Sequence, residues 1–288
     1  MFAVQFGGVV VSAELGEEHL RLLAHHKFKE PERRQMVEDL ALEPGDRVLD
    51  LGCGIGLWSG WIAEKVVPGG RVVGLDVNPA STSIAKGRTR FDLNSDVIDY
   101  EVGDAWAIPF KRGTFDALFC ANTFEYFSEP WHYLQEMKRV VRRAGKVAVK
   151  DIDAGQMALY PVQPELMAGI VVAMTRLVQH RCAHADEYAG RVLDFFVGRK
   201  LHSWFQRAGF ESITTKSYAM TRTQPLGRMA IRHLQGLAQF WQSELVPFLS
   251  ARHLAELKAL FDDRSEEYLL SRPDFCYLDV ETLTIGIV

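Results

Sequence analysis

Apolar and polar positions along this chain follow two periods that trade places in a regular order. Runs with a two-residue or continuous apolar pattern fall at Arg47–Leu51, Arg71–Asp76, Val97–Val102, Thr114–Cys120 and Lys146–Ile152. Between them, Leu57–Lys65, Ala80–Thr89 and Trp131–Arg142 show helical spacing, the last with Leu134, Met137, Val140 and Val141 on one stripe. Strand and helix in alternation predict a parallel, doubly wound sheet. Upstream, Leu15–Lys29 and Glu32–Leu42 read as helices, and Pro31 suits the first turn of the second. Phe2–Ala13 alternates weakly and reads as an extended arm or a lid segment.

Beyond residue 153 the order changes. A helical block runs from about Ala154 to Gly198, and a strand is predicted at Glu211–Tyr218. Helices follow at about 228–245 and from Ser250 to Phe261, with Ser250 as a natural N-cap. The last strand, Tyr277–Val288, has no crossover helix before it, so an antiparallel edge placement is expected. The division read from this pattern is a helical arm over 1–44, an α/β core over 45–153 and a helical lid over 154–198. The rest of the core follows over 199–288, with a helical insertion at 219–274.

Composition narrows the class. With 48% hydrophobic and 24% charged residues, the 288-residue chain has the balance of a soluble globular protein. Its net charge of −4 speaks against a nucleic-acid binder, which would present a basic face. No apolar run approaches the roughly 18 residues that span a bilayer, and Phe2–Ala13 lacks a basic leader region, so neither membrane nor export is expected. Cys53, Cys120, Cys182 and Cys276 stand far apart, which fits a reducing, cytoplasmic compartment. His180, Cys182, His184 and Asp186 lack the HExxH spacing, and no metal is expected. A second copy of the chain is carried as a candidate partner.

The candidate chemistry starts at Val48-Leu49-Asp50-Leu51-Gly52-Cys53-Gly54-Ile55-Gly56. Glycines between a strand and a helix let backbone approach a ligand, since no Cβ intervenes. A dinucleotide-binding turn reads GxGxxG, but Leu57 stands where its third glycine would be. Asp50 would repel a pyrophosphate and suit an ammonium. S-adenosylmethionine (SAM), with an amino-acid end, a sulfonium, a ribose and an adenine, meets that requirement. Asp76 closes the second strand, where an acid can accept from both ribose hydroxyls. Asp104 follows the third strand and could accept from an adenine amino group. Asn122 follows the fourth and borders the same rim.

These residues resemble the class I SAM-dependent methyltransferases. Besides the nine-residue motif, the resemblance rests on Gly74-Leu75-Asp76-Val77-Asn78, Gly103-Asp104-Ala105 with Ile108-Pro109-Phe110, Phe115-Asp116-Ala117, and the helix Leu134–Val140 with Gly145. It covers about 45 to 155 and continues in Leu201–Phe210. It implies a Rossmann-like sheet of seven mostly parallel strands with an antiparallel last strand and helical lid insertions. It also implies that Gly52, Gly54 and Gly56 line the methionine end and that Asp50 meets the amino group. Asp76 would take the ribose, Asp104 the adenine edge, and Val77 and Ala105 the adenine faces. Asn122 completes the set of cofactor residues. S-adenosylhomocysteine would be the product.

Methyl transfer from a sulfonium needs alignment more than acid–base help, and a base only if the nucleophile must lose a proton. Glu125, Tyr126 and Asp153 are the candidate catalytic residues; Asp151 and His132 stand nearby. Met157, Met167, Met174, Phe195, Phe240 and Trp241 are expected to wall an apolar acceptor pocket. The reading is a methyltransferase acting on an O or C atom of a small apolar or aromatic metabolite. A SAM-fold enzyme with a non-methylating reaction, or a SAM-binding protein without catalysis, is the alternative.

Overall fold

The computed structural model describes residues 5–6, 9–10, 16–184, 187 and 192–288. The arm expected over Phe2–Ala13 lies mostly outside them. Gln5–Phe6 and Val9–Val10 form a two-residue antiparallel ladder. The strands of the main sheet are β1 (Arg47–Leu51), β2 (Arg71–Asp76), β3 (Ile98–Val102), β4 (Phe115–Ala121), β5 (Val141–Ile152), β6 (Ala158–Tyr160), β7 (Glu211–Thr223) and β8 (Cys276–Ile287). The helices are α1 (Glu17–Phe28), α2 (Glu30–Asp39), α3 (Ser59–Val66), α4 (Pro79–Thr89), α5 (Pro130–Val140), α6 (Pro164–Ala183), α7 (Leu201–Arg207), α8 (Arg228–Glu244) and α9 (Ala251–Phe261).

The sheet runs β3-β2-β1-β4-β5-β8-β7. The first five strands are parallel, and β8 is antiparallel to both neighbours. The short β6 pairs with Cys276–Leu278 on the edge of β8 that β5 leaves uncovered. One expectation is corrected here. The last strand is antiparallel, but it is not at an edge: it lies between β5 and β7. Its own burial explains this, since Glu281, Leu283 and Thr284 are all shielded. β7 is largely exposed and forms the edge.

Strand alternation sorts the core into two faces. Val48 and Phe119 point toward α2 and α3, where Met36, Val37, Ile62 and Val66 pack. Leu49, Leu118, Val147 and Val149 point the other way, onto α5 and α7. A third cluster joins α6, α8 and α9 around Met174, Trp241 and Tyr277. Met174, Phe195 and Trp241, expected as pocket walls, are buried within it; Met157, Met167 and Phe240 pack at its margin. The apolar stripes of the two insertions thus mainly serve a core of their own.

Candidate active site

The glycine turn follows β1 and leads into α3, which begins at Ser59, two residues later than the periodicity suggests. Gly52, Gly54 and Gly56 have φ of +71°, +52° and +72°, a region costly for residues with a Cβ. Their surroundings differ. A Cβ on Gly52 would overlap the Thr123 side chain, and one on Gly56 would overlap the Tyr100 ring. A Cβ on Gly54 would meet no atom within 4 Å and would occupy the space over the turn. Gly54 therefore forms an open cradle at the carboxyl end of β1.

Asp76 braces that cradle. Its Oδ2 accepts from the Gly54 N–H at 2.9 Å, and its Oδ1 from the Asn78 N–H at 2.8 Å. A carboxylate oxygen can accept more than one hydrogen bond, so capacity remains for ligand hydroxyls. Asp50 behaves differently. Alternation aims it at the α3 face with Val48, where it is 1% exposed and accepts from Ser59 Oγ at 2.5 Å. It lies behind the turn instead of inside the mouth. Burial, reinforced by the charge of Asp76 and opposed by the Ser59 hydrogen bond, pushes its carboxyl up to about 7.

Further along the rim, Val77 is 54% exposed beyond β2, and Ala105 is half-buried beyond β3. Asp104 accepts from the Trp106 N–H at 2.8 Å and caps the short helical turn of 105–107. Trp106 stacks on His132 with ring centroids 3.8 Å apart, which accounts for His132 as a packing partner. Trp106 is a rim residue that sequence reasoning missed; the signal was a tryptophan two positions after Asp104.

At the end of β4 the chain turns sharply. Asn122 has φ +51°. Its N–H donates to the Lys150 carbonyl at 3.0 Å, and Thr123 Oγ1 lies 3.4 Å from the Gly52 carbonyl. Asn122 thus adjoins the first glycine of the turn. Glu125 follows in a short helical turn, 7% exposed, with its N–H donating to Asp151 Oδ2 at 3.0 Å. Burial and the charge of Asp151 hold the Glu125 carboxyl well above the usual carboxylate range. Burial likewise raises Asp151 to about 7, against Lys150 and two backbone N–H donors. Tyr126 is 40% exposed at the rim. Asp153 is committed elsewhere: it accepts from Arg199 Nε at 2.6 Å and Nη2 at 2.5 Å, and from the Gly155 N–H at 3.2 Å. Of the metal-type residues, Asp186 lies outside the described residues, and His184 Nδ1 is 2.8 Å from the His180 carbonyl.

Beneath Asn122 lies a buried ionic cluster that the sequence did not reveal. Glu281 of β8 accepts from Lys150 Nζ at 2.6 Å, Arg33 Nη2 at 2.8 Å, Arg33 Nε at 3.1 Å and Lys29 Nζ at 3.1 Å. Lys29 also meets Asp279 at 2.5 Å. Burial alone would raise the Glu281 carboxyl, but Arg33, Lys150 and Lys29 outweigh it and hold it well below the usual range. Burial, with Arg33 and Lys29, lowers Lys150 to about 7 against the pull of Glu281. Arg33 also contacts His25 Nε2 at 3.1 Å and His26 Nδ1 at 3.3 Å. A guanidinium can only donate, so both rings accept through those atoms and are neutral; burial and Arg33 lower both. The one available signal was the charge of Lys150 and Glu281 inside otherwise apolar strands.

A rim at the carboxyl ends of β1 to β5, built on an open glycine cradle and an acid at the end of β2, defines a nucleoside-type site in a doubly wound sheet. Comparison with known proteins agrees. Residues 49–149 match the family described as a methyltransferase domain. A 2-phytyl-1,4-naphtoquinone methyltransferase of Synechococcus elongatus is 31% identical over 187 residues, 61% of this chain and 78% of that protein. Methyltransferase GfsG of Streptomyces halstedii is 30% identical over 118 residues, 41% of this chain and 42% of that protein, so this chain spans less than half of that relative. The crystal structure of YcgJ from Bacillus subtilis shares the fold with a TM-score of 0.55 at 15% identity, over 94% of this chain and 98% of that one. The chain belongs to the class I SAM-dependent methyltransferase family.

Proposed function

We propose that this protein transfers a methyl group from SAM to an oxygen or carbon atom of a small apolar or aromatic metabolite. The observation that carries the reading is the Gly54 cradle braced by Asp76. SAM would supply an already activated methyl group. In this reading Gly52, Gly54 and Gly56 hold the backbone clear of the methionine end. Asp76 takes the ribose, Val77 and Ala105 flank the adenine, and Asp104 faces its edge. Asp50, buried behind the turn, acts through the field of its ionised fraction, which with that of Asp76 favours an ammonium and a sulfonium.

Glu125 is the catalytic candidate we retain, as a buried carboxyl whose raised pKa favours the protonated form that can donate to an acceptor oxygen. Tyr126 stands beside it at the open rim. Asp153 is tied to Arg199 and enters only as support for that wall. The names of the relatives, one a naphthoquinone methyltransferase, support a small acceptor. No helix among the described residues is long and apolar enough to cross a membrane. The buried thiols of Cys53 and Cys120 accord with a reducing, cytoplasmic setting.

Calorimetry with S-adenosylhomocysteine tests the cofactor site, and absence of binding would overturn the reading. Product mass tests the chemistry. An added methyl with release of S-adenosylhomocysteine supports transfer, and an unchanged acceptor mass with altered connectivity would favour a non-methylating reaction.

A further inference from the structure

Asn122 presents an amide whose two ends are not interchangeable. Its Oδ1 accepts from Lys150 Nζ at 2.8 Å and from Arg33 Nη2 at 3.2 Å. Arg33 can only donate, so the oxygen must face the ionic cluster and the NH2 group must face away from it. Among the described residues, no acceptor meets that NH2 group. The backbone is held at φ +51°, a conformation that asparagine tolerates better than most residues but still at a cost. Thr123 fixes the segment against Gly52, so the amide stands beside the end of the turn assigned to the methionine part of the cofactor.

The surroundings hold the amide in one orientation. In the cluster below the amide, the cations Lys29 and Arg33, with Lys150 lowered to about 7, are paired with Asp279 and Glu281. Glu125 and Asp151 face it from the β4 and β5 ends, both carboxyls raised by burial. His25, His26 and His233 face it from α1 and α8, all neutral through burial and the nearby cations. The side of the site next to Asn122 therefore offers an amide donor held in place by Arg33 and Lys150, with little reorganisation needed.

Resting on the methyltransferase reading, we infer that the acceptor is bound as an oxyanion, of the phenolate or enolate class, with the Asn122 Nδ2 amide donating to its oxygen. Arg33, Lys150 and Glu281 are positioning residues: they set which way the amide points. An acceptor that arrives as an anion needs no base, and both its oxygen and its conjugated carbon are nucleophilic. Amines lack the oxygen that the amide would hold.

The test uses 4-nitrophenol as a chromophoric probe with the full chain saturated in S-adenosylhomocysteine. Absorbance titration reads the pH at which the bound phenol ionises. We expect ionisation about one pH unit or more below that of the free phenol. Asn122→Gly accepts the same backbone angle without strain. With S-adenosylhomocysteine kept saturating, it should lose at least about half of that shift. Asn122→Asp, which replaces the donor with a second oxygen, should lose the shift as well. Weaker binding of 4-nitroaniline, which has no ionisable oxygen, is expected. An absent or upward shift, a shift unchanged in Asn122→Gly, or no probe binding would overturn the inference while leaving cofactor binding intact. A parallel loss of S-adenosylhomocysteine affinity in Asn122→Gly would make Asn122 a cofactor contact and overturn it too. If S-adenosylhomocysteine does not bind the unmodified protein, the methyltransferase reading fails, and the probe titration without it still reads the amide.

Discussion

The Asp76 carboxylate receives the Gly54 N–H at 2.9 Å, joining the end of β2 to the middle of the turn after β1. One side chain thus shapes the cradle, and in the proposed function the same carboxylate takes the ribose. We expect Asp76→Ala to weaken S-adenosylhomocysteine binding by about 1–3 kcal/mol, since it removes ligand hydrogen bonds and frees a turn N–H. Calorimetry checks this, and unchanged affinity would show that the ribose contact is misassigned.

Gly54 separates ligand exclusion from folding. Its Cβ direction is open, so a side chain there costs the fold only the strain of a left-handed angle, about 1–2 kcal/mol. Gly54→Val should retain the circular dichroism of the parent and melt a few degrees lower, as expected for that loss. Cofactor binding should fall below detection. Retained binding in a folded variant would remove the cradle from the site.

Asp50 gives stability a defined pH dependence. Its folded pKa is raised to about 7 from an ordinary value of 3.8. The folded state therefore holds a proton that the unfolded state releases between roughly pH 4 and pH 7. Stability from this group is fully present below that window and declines as pH rises through it. The loss is up to about 4 kcal/mol, from three pKa units at about 1.4 kcal/mol each. Asp50→Asn should flatten this part of the urea-denaturation profile between pH 4 and 7. Parallel profiles for the two proteins would contradict the assignment.

Glu281 is the shared partner of three buried basic groups. Glu281→Ala should cost about 3–5 kcal/mol, because it strands buried charge. Its denaturation midpoint should fall further than that of Lys29→Met, which leaves Arg33 and Lys150 paired with Glu281. Equal losses would mean that the cluster acts through packing alone.

Much of the fold could be read from the sequence because its signals are local. Alternation at Arg47–Leu51 and helical spacing at Trp131–Arg142 each report a periodic backbone meeting a core. The glycines at 52, 54 and 56 were legible for the same reason, since three left-handed angles within five residues call for glycine. Strand order in the last third was not legible. Tyr277–Val288 has the composition of an antiparallel strand, but whether β7 covers its free edge depends on a partner some sixty residues earlier. The Asp153–Arg199 pair, a contact between residues 46 apart, was not legible either.

The sequence by itself determined the parallel α/β frame, the glycine turn and the acids at the ends of β2 and β3. Spacing along one strand, turn or helix is enough to specify these. Tertiary structure alone decided that Asp50 sits behind the turn, that the apolar stripes of the insertions form a core, and that Arg33, Lys150 and Glu281 meet beneath Asn122. Arg33 and Glu281 are 248 residues apart, and no periodicity carries information over that distance. Burial of charge is paid for only by partners, and the folded chain is what brings those partners together.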